Sequence, residues 1–455
     1  MSNLSHRLYR WLRPYFYDLG VLHLLRRLIS TRRRWVLADR LGLAGFQIVE
    51  ATGHRLPAAR ARTLAAPRRV RRIDGLNLAG DLRADTGLSE VTRQTLTALR
   101  AASLGVSYTE IVVGPPSRSQ PVADGLPAGA PYDVSLVDVL FFQFYDRMME
   151  APPELLAGKY VIAYWAWELP RFPALSRTTY KLMDEIWVYS GFVRDSLSQA
   201  SPVPVVTMPP PVDVAPVRPR PRAALGLPED RFIFLFSFNP ASVTARKNPF
   251  GVIEAFRRAF GRAASGPILV IKTHHLDSLL DTTSLARDLR AAIDTVGGRL
   301  IEDNLTREQM TGLLDCCDCY VSLHRSEGFG LGMAEAMALG KPVIGTGYSG
   351  NTDFMLPDNS WLVRYTLRTI TPDDHRYQPE LSNIYPAGQV WAEPDIDHAA
   401  ELMQAVFADP ARAAQVGAAA AQHMQRHFSP QAAGARIVER LGAISASTGK
   451  WPAAA

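Results

Sequence analysis

Two carboxylates frame the stretch of this chain best suited to chemistry. Glu327 and Glu335 lie eight positions apart, with Gly328, Phe329, Gly330 and Leu331 directly after the first. An apolar strand pattern at 319–323 leads into this glycine-spaced turn; a helical pattern follows, then a second strand pattern at 342–344. In such a unit the helix N-terminus opens beside the carboxyl end of the first strand. Its free N–H groups and positive dipole end suit a diphosphate. Helical side chains lean toward the N-terminus, so Glu335 can border the same pocket as Glu327. Two acids beside an anion site make sense for a nucleotide sugar. The carboxylates accept hydrogen bonds from sugar and ribose hydroxyls while the helix end and basic groups hold the phosphates.

Other phosphate motifs are excluded by residue type. A dinucleotide fingerprint on Gly328 and Gly330 needs a third glycine where Met333 stands. A Walker A loop ending at Gly340-Lys341 needs glycine at Glu335 and Ser or Thr at Pro342. The plainer alternative is an ordinary helix-initiating turn with Glu335 on a solvated face.

The elements that must position these groups follow from length and pattern. A chain of 455 residues with 47% hydrophobic content supports two or three domains, and alternating strand and helix patterns indicate α/β architecture. The three cysteines, Cys316, Cys317 and Cys319, suit neither a disulfide framework nor paired zinc ligands and read as small apolar residues in a reducing cytosol. No uncharged run reaches the ~18 residues of a spanning helix, and arginines interrupt the early apolar residues where a signal peptide would lie. The net charge of +6 is uneven: residues 1–72 carry 16 Arg and three acids, hence +13, which leaves −7 for the rest. Residues 4–34 combine a leucine stripe with arginines and aromatics, split by Pro14. They read either as an interfacial helix on an anionic membrane surface or as a helical pair packed on protein. No nucleic-acid module accompanies the arginines.

The motif at 327–335, together with WAWELPRFP, DEIWVYSGFV, ARKNPFGVIEAFRRAF and GYSGNTDFM, resembles the signature of the retaining family-four glycosyltransferases, in a group often found making bacterial surface polysaccharides. The resemblance extends over most of the chain from about residue 72. It implies a GT-B fold, two Rossmann-like domains facing a cleft. We expect a basic helical extension and linker at 1–72, an acceptor domain at 73–212, a donor domain at 213–425, and a C-terminal helix at 426–455 that crosses back to the first domain. Pro-rich residues 209–222 supply the interdomain linker.

The resemblance assigns Arg246 and Lys247, in a loop before a helix opened by Pro249, to the donor diphosphate. Two cations there neutralise charge as the nucleoside diphosphate leaves. It assigns sugar hydroxyls to Glu327, backbone N–H donation to 328–331, and ribose to Glu335. Gly87 best matches the first cleft-facing glycine loop, ahead of a helix that Ser89 can cap. Relatives often carry a histidine near the end of a strand in the first domain. The pattern at 132–142 reads as that strand but offers only Asp138 or Gln143. Glu168, after the strand pattern at 160–166, either points into the cleft or caps the next helix. Lys272 ends a strand where ligands tend to bind. Asn351 either touches the donor or caps a helix. Residues 365–394 read as an irregular insertion.

These readings give an enzyme that moves a hexose, mannose among the candidates, from a GDP- or UDP-sugar to a saccharide or lipid-linked acceptor. It would need no metal and no other cofactor, and would work in the cytoplasm or on the inner membrane face. Nucleotide-sugar epimerase, phosphorylase and a non-catalytic nucleotide-sugar-binding protein are the alternatives on the same fold.

Overall fold

The computed structural model describes Val70 and residues 74–448, apart from 113–119, 121–124, 174, 176, 215–221, 241, 263–264, 275, 277–282 and 383. The arginine-rich segment, including the membrane reading of 4–34, lies outside the described residues.

In the first lobe, β1 (Gly75–Gly80), β2 (Gly105–Glu110), β3 (Val134–Val137), β4 (Tyr160–Trp165), β5 (Glu185–Val188) and β6 (Val205–Thr207) form a parallel sheet ordered β2-β1-β3-β4-β5-β6. Its helices are α1 (Gly87–Ala101), α2 (Phe141–Glu150), α3 (Arg177–Tyr180) and α4 (Gly191–Ser198). The central strands are buried along their length, which is why they read as continuous apolar runs.

In the second lobe, α5 (Thr244–Lys247), α6 (Pro249–Phe260), α7 (Thr283–Thr295), α8 (Arg307–Cys316) and α9 (Leu331–Ala338) alternate with six parallel strands. These are β7 (Ile233–Ser237), β8 (Ile268–Lys272), β9 (Arg299–Ile301), β10 (Cys319–Ser322), β11 (Val343–Thr346) and β12 (Trp361–Val363), ordered β12-β11-β10-β7-β8-β9. Each sheet has one place where chain order reverses, between β1 and β3 and between β7 and β10. The carboxyl ends of the strands at such a reversal are the usual ligand position in sheets of this kind. These two facing sheets constitute the expected α/β GT-B architecture.

Several local readings are corrected. The pattern at 132–142 is strand only at β3; its apolar end begins α2, whose Phe141, Phe144, Tyr145 and Met148 recur at helical spacing on a buried face. Thr86, not Ser89, caps α1 by accepting from the Ser89 backbone N–H. The region 365–394 is not wholly irregular: β13 (Tyr365–Thr369) pairs antiparallel with β14 (Val390–Pro394). Arg368 there lies over the Trp391 ring and pairs with Glu393 and Asp374, so cross-strand contacts supply an order that no short period announced.

Helices α10 (Ile396–Ala408), α11 (Pro410–Phe428) and α12 (Pro430–Thr448) close the chain. Helix α12 packs on α1 of the first lobe at close range: a Cβ on Gly434 would sit 2.6 Å from the Ala98 carbonyl oxygen. Arg440 Nε also donates to the buried Glu185 at 2.9 Å. Among the described residues no helix is long and apolar enough to cross a membrane.

Candidate active site

Beyond the carboxyl ends of β7 and β10 the chain brings Arg246, Lys247 and Glu327 together. The connection after β7 does not remain a loop: it forms the single turn α5, then turns sharply at Asn248 (φ 55°), whose side chain caps α6 through the Gly251 N–H. This places Arg246 and Lys247 opposite the turn after β10. Lys247 Nζ lies 2.5 Å from Glu327 Oε1, and Arg246 NH1 lies 3.1 Å from Glu327 Oε2. Arg246 also donates to the Ser326 carbonyl at 2.8 Å. Burial alone would raise the Glu327 carboxyl; Lys247 and Arg246 outweigh it and hold the group at about 2. Burial pushes Lys247 down against the pull of Glu327. Burial also opposes charge on Arg246, but Tyr385, Glu168 and Glu327 together raise it.

The first lobe covers this cluster. Glu168, just past β4, places Oε1 3.6 Å from Arg246 NH2 and accepts from the Tyr385 hydroxyl at 2.8 Å through Oε2. It therefore reaches across to the second lobe and does not serve as a helix cap. Tyr385 arises from the segment between β13 and β14; its ring stacks on Trp167 at 5.7 Å and lies under the Arg246 guanidinium at 5.6 Å. Ser326 Oγ donates to the Glu168 carbonyl, and Ser190 Oγ to the Gly328 carbonyl at 2.7 Å. Ser190 meanwhile caps α4.

Gly330 adopts φ 98° as the N-cap of α9, a conformation that strongly favours glycine. Among the described residues no acceptor is paired with the backbone N–H groups of 328–331. Phe329 turns its side chain away, into contact with Phe354 and Phe428 at 5.0 and 6.0 Å. Any part it has in binding is therefore through its backbone. Leu331 is the first residue of the helix and half-buried.

Glu335 lies inside α9, buried, with Arg307 NH1 2.6 Å from Oε1. It is not a solvated face residue. Arg307 Nε is in turn 3.3 Å from Glu90 Oε1, in the first turn of α1 on the opposite lobe. Gly87 begins that same helix; a Cβ there would meet nothing within 4 Å, so the position makes no demand for glycine.

The remaining candidates lie elsewhere. Asp138 directly follows the carboxyl end of β3, buried, accepting from Thr92 Oγ1 at 2.7 Å and Tyr189 OH at 3.4 Å. Burial raises its carboxyl to about 7, against these hydrogen bonds. Lys272 is buried at the end of β8, donates to the Thr273 carbonyl, and is lowered to about 8 by burial. Asn351 caps no helix through its side chain. It donates to the Thr346 carbonyl at 2.9 Å and pairs with His324 Nε2 at 3.0 Å. It is a buried tie beneath the loop.

Sequence reading missed Glu90, Arg307, Tyr385 and His324. Arg307 follows Thr306, whose capping box with Gln309 marks a helix start, so its position had a signal. Tyr385 had none, because its side-chain contacts, with Trp167, Glu168 and Arg246, are all distant in sequence.

Residues 217–363 match the family model described as "Glycosyl transferases group 1". No curated protein matches the chain. Among solved structures, sucrose-phosphate synthase from Thermosynechococcus elongatus is 16% identical with a TM-score of 0.56, covering 82% of this chain and 99% of its own. Anabaena HepE, solved with UDP and glucose, is 13% identical with a TM-score of 0.55, covering 81% and 100%. A glycosyltransferase from Rickettsia africae is 12% identical with a TM-score of 0.55, covering 82% and 99%. The fold is thus GT-B, and the segment that carries Arg246, Lys247, Glu327 and Glu335 is the one that matches the glycosyl transferases group 1 family.

Proposed function

We propose that the protein is a retaining glycosyltransferase that moves a hexose from a nucleotide-diphosphate sugar to a saccharide or lipid-linked glycan acceptor. The observation that carries this reading is the buried Arg246–Lys247–Glu327 cluster at the reversal point of the second sheet, with Glu168 of the first lobe above it. The solved Anabaena protein of the same fold held UDP and glucose, which supports a nucleotide-sugar donor here.

In this reading the diphosphate lies at the N-terminus of α9, where the N–H groups of 328–331 and the helix dipole receive it. Arg246 and Lys247 stabilise the charge that develops as the glycosidic bond to the diphosphate breaks, without a bound metal. Glu327, kept ionised by the same two cations, accepts hydrogen bonds from donor sugar hydroxyls. Glu335 accepts from the ribose. Glu168 and Tyr385 border the acceptor side. Bacterial surface-polysaccharide synthesis on the cytoplasmic face of the membrane is the setting that fits such an acceptor.

The test is a product assay with UDP- and GDP-hexoses, with and without saccharide acceptors, followed by NMR of the new linkage. Acceptor-dependent nucleoside diphosphate release with retained anomeric configuration is expected. Interconversion of the free nucleotide sugar without acceptor would replace this reading with epimerisation, and release dependent on inorganic phosphate would replace it with phosphorolysis.

A further inference from the structure

Arg307 holds three parts of the molecule at once. NH1 is 2.6 Å from Glu335 Oε1 in the second lobe, and Nε is 3.3 Å from Glu90 Oε1 in the first. NH2 donates at 3.3 Å to the carbonyl of Asp213, in the connection between the lobes. The planar guanidinium supplies several donors in fixed directions, which a single ammonium does not. Both carboxylates are buried, and Glu90 is braced on its own lobe by Arg93 at 2.8 Å and by Gln94 at 2.9 Å. Without the shared cation, two buried carboxylates from opposite lobes would be left near one another, an arrangement that like-charge repulsion and desolvation both oppose.

We propose that Arg307 is a positioning residue that latches the two lobes together and couples their closure to donor binding. The second half of this inference rests on the reading above, in which Glu335 receives the ribose. The nucleotide then adds its hydrogen bonds to a carboxylate that the latch already orients. Coupling is reciprocal: if closure raises nucleotide affinity, bound nucleotide favours closure by the same factor, and a variant that depopulates the closed state binds more weakly in proportion to the population lost. Glu90 therefore influences nucleotide affinity from the far lobe through Arg307.

The experiment compares wild type, Glu90→Gln, Arg307→Met and the double variant. Solution X-ray scattering gives the radius of gyration without ligand, and calorimetry gives the affinity for UDP and for GDP. We expect both single variants to be more expanded than wild type, and the double variant to be no more expanded than Arg307→Met. We expect Glu90→Gln, which keeps the Arg307–Glu335 pair, to bind the preferred nucleotide about tenfold more weakly. An unchanged radius in Glu90→Gln overturns the latch. An increased radius with unchanged nucleotide affinity overturns the coupling. If wild type binds neither nucleotide while the radii change as expected, the ribose assignment fails and the latch stands.

Discussion

Gly328 and Trp167, on opposite lobes, are in backbone contact: a Cβ on the glycine would lie 2.9 Å from the tryptophan carbonyl oxygen. The turn that opens α9 is thus fitted against the first lobe with no room for a methyl group. Gly328→Ala must push the lobes apart or shift the turn, because the obstructing atom is backbone. Misplacement of reacting groups by ~1 Å costs on the order of 10²-fold in rate. We expect kcat/KM to fall by at least about tenfold with the fold intact by circular dichroism. Wild-type kinetics in this variant would show that the contact is not kept during turnover.

Under the proposed function Lys247 is aimed at developing charge, so for Lys247→Ala a loss in kcat of about 10²-fold or more is expected. Glu327 keeps Arg246 as a partner, so a folded protein is expected. Steady-state kinetics decides the matter: a change confined to KM would make Lys247 a binding group only.

Asp138 makes stability depend on pH. Burial raises its carboxyl from 3.8 to about 7, so between these values the folded state binds more protons than the unfolded state. Stability then falls as pH rises through that window and levels off above it. Asp138→Asn removes the term. Its melting temperature relative to wild type should rise steadily from pH 4 to pH 7 and then stay level. A constant difference across the window would mean that the carboxyl titrates alike in both states.

Tyr385 acts through two parts of its side chain. Tyr385→Phe loses only the hydrogen bond to Glu168, and an effect of about tenfold on kcat/KM is expected. Tyr385→Ala also loses the ring beneath Arg246 and against Trp167, so a larger loss is expected. Equal losses in the two variants would show that the ring contributes nothing beyond its hydroxyl.

The sequence by itself determined the local patterns. Periodicity located the central strands, since a strand buried on both faces must be apolar throughout. Residue type and spacing marked Glu327 and Glu335 on either side of a glycine turn, and the family resemblance marked Arg246 and Lys247 ahead of a proline-opened helix. These signals are legible because they depend on neighbours within one or two turns of chain. Tertiary structure decided what depends on residues far apart. It set Glu168 against Tyr385 across 217 positions and Ser190 against Gly328 across 138. It set Tyr385, from an aromatic stretch, against Trp167 and Arg246, and it gave Glu335 a partner that also grips Glu90. The physical reason is that an ion pair or ring stack between lobes leaves no period in either segment: its energy exists only once both sheets have folded and face each other.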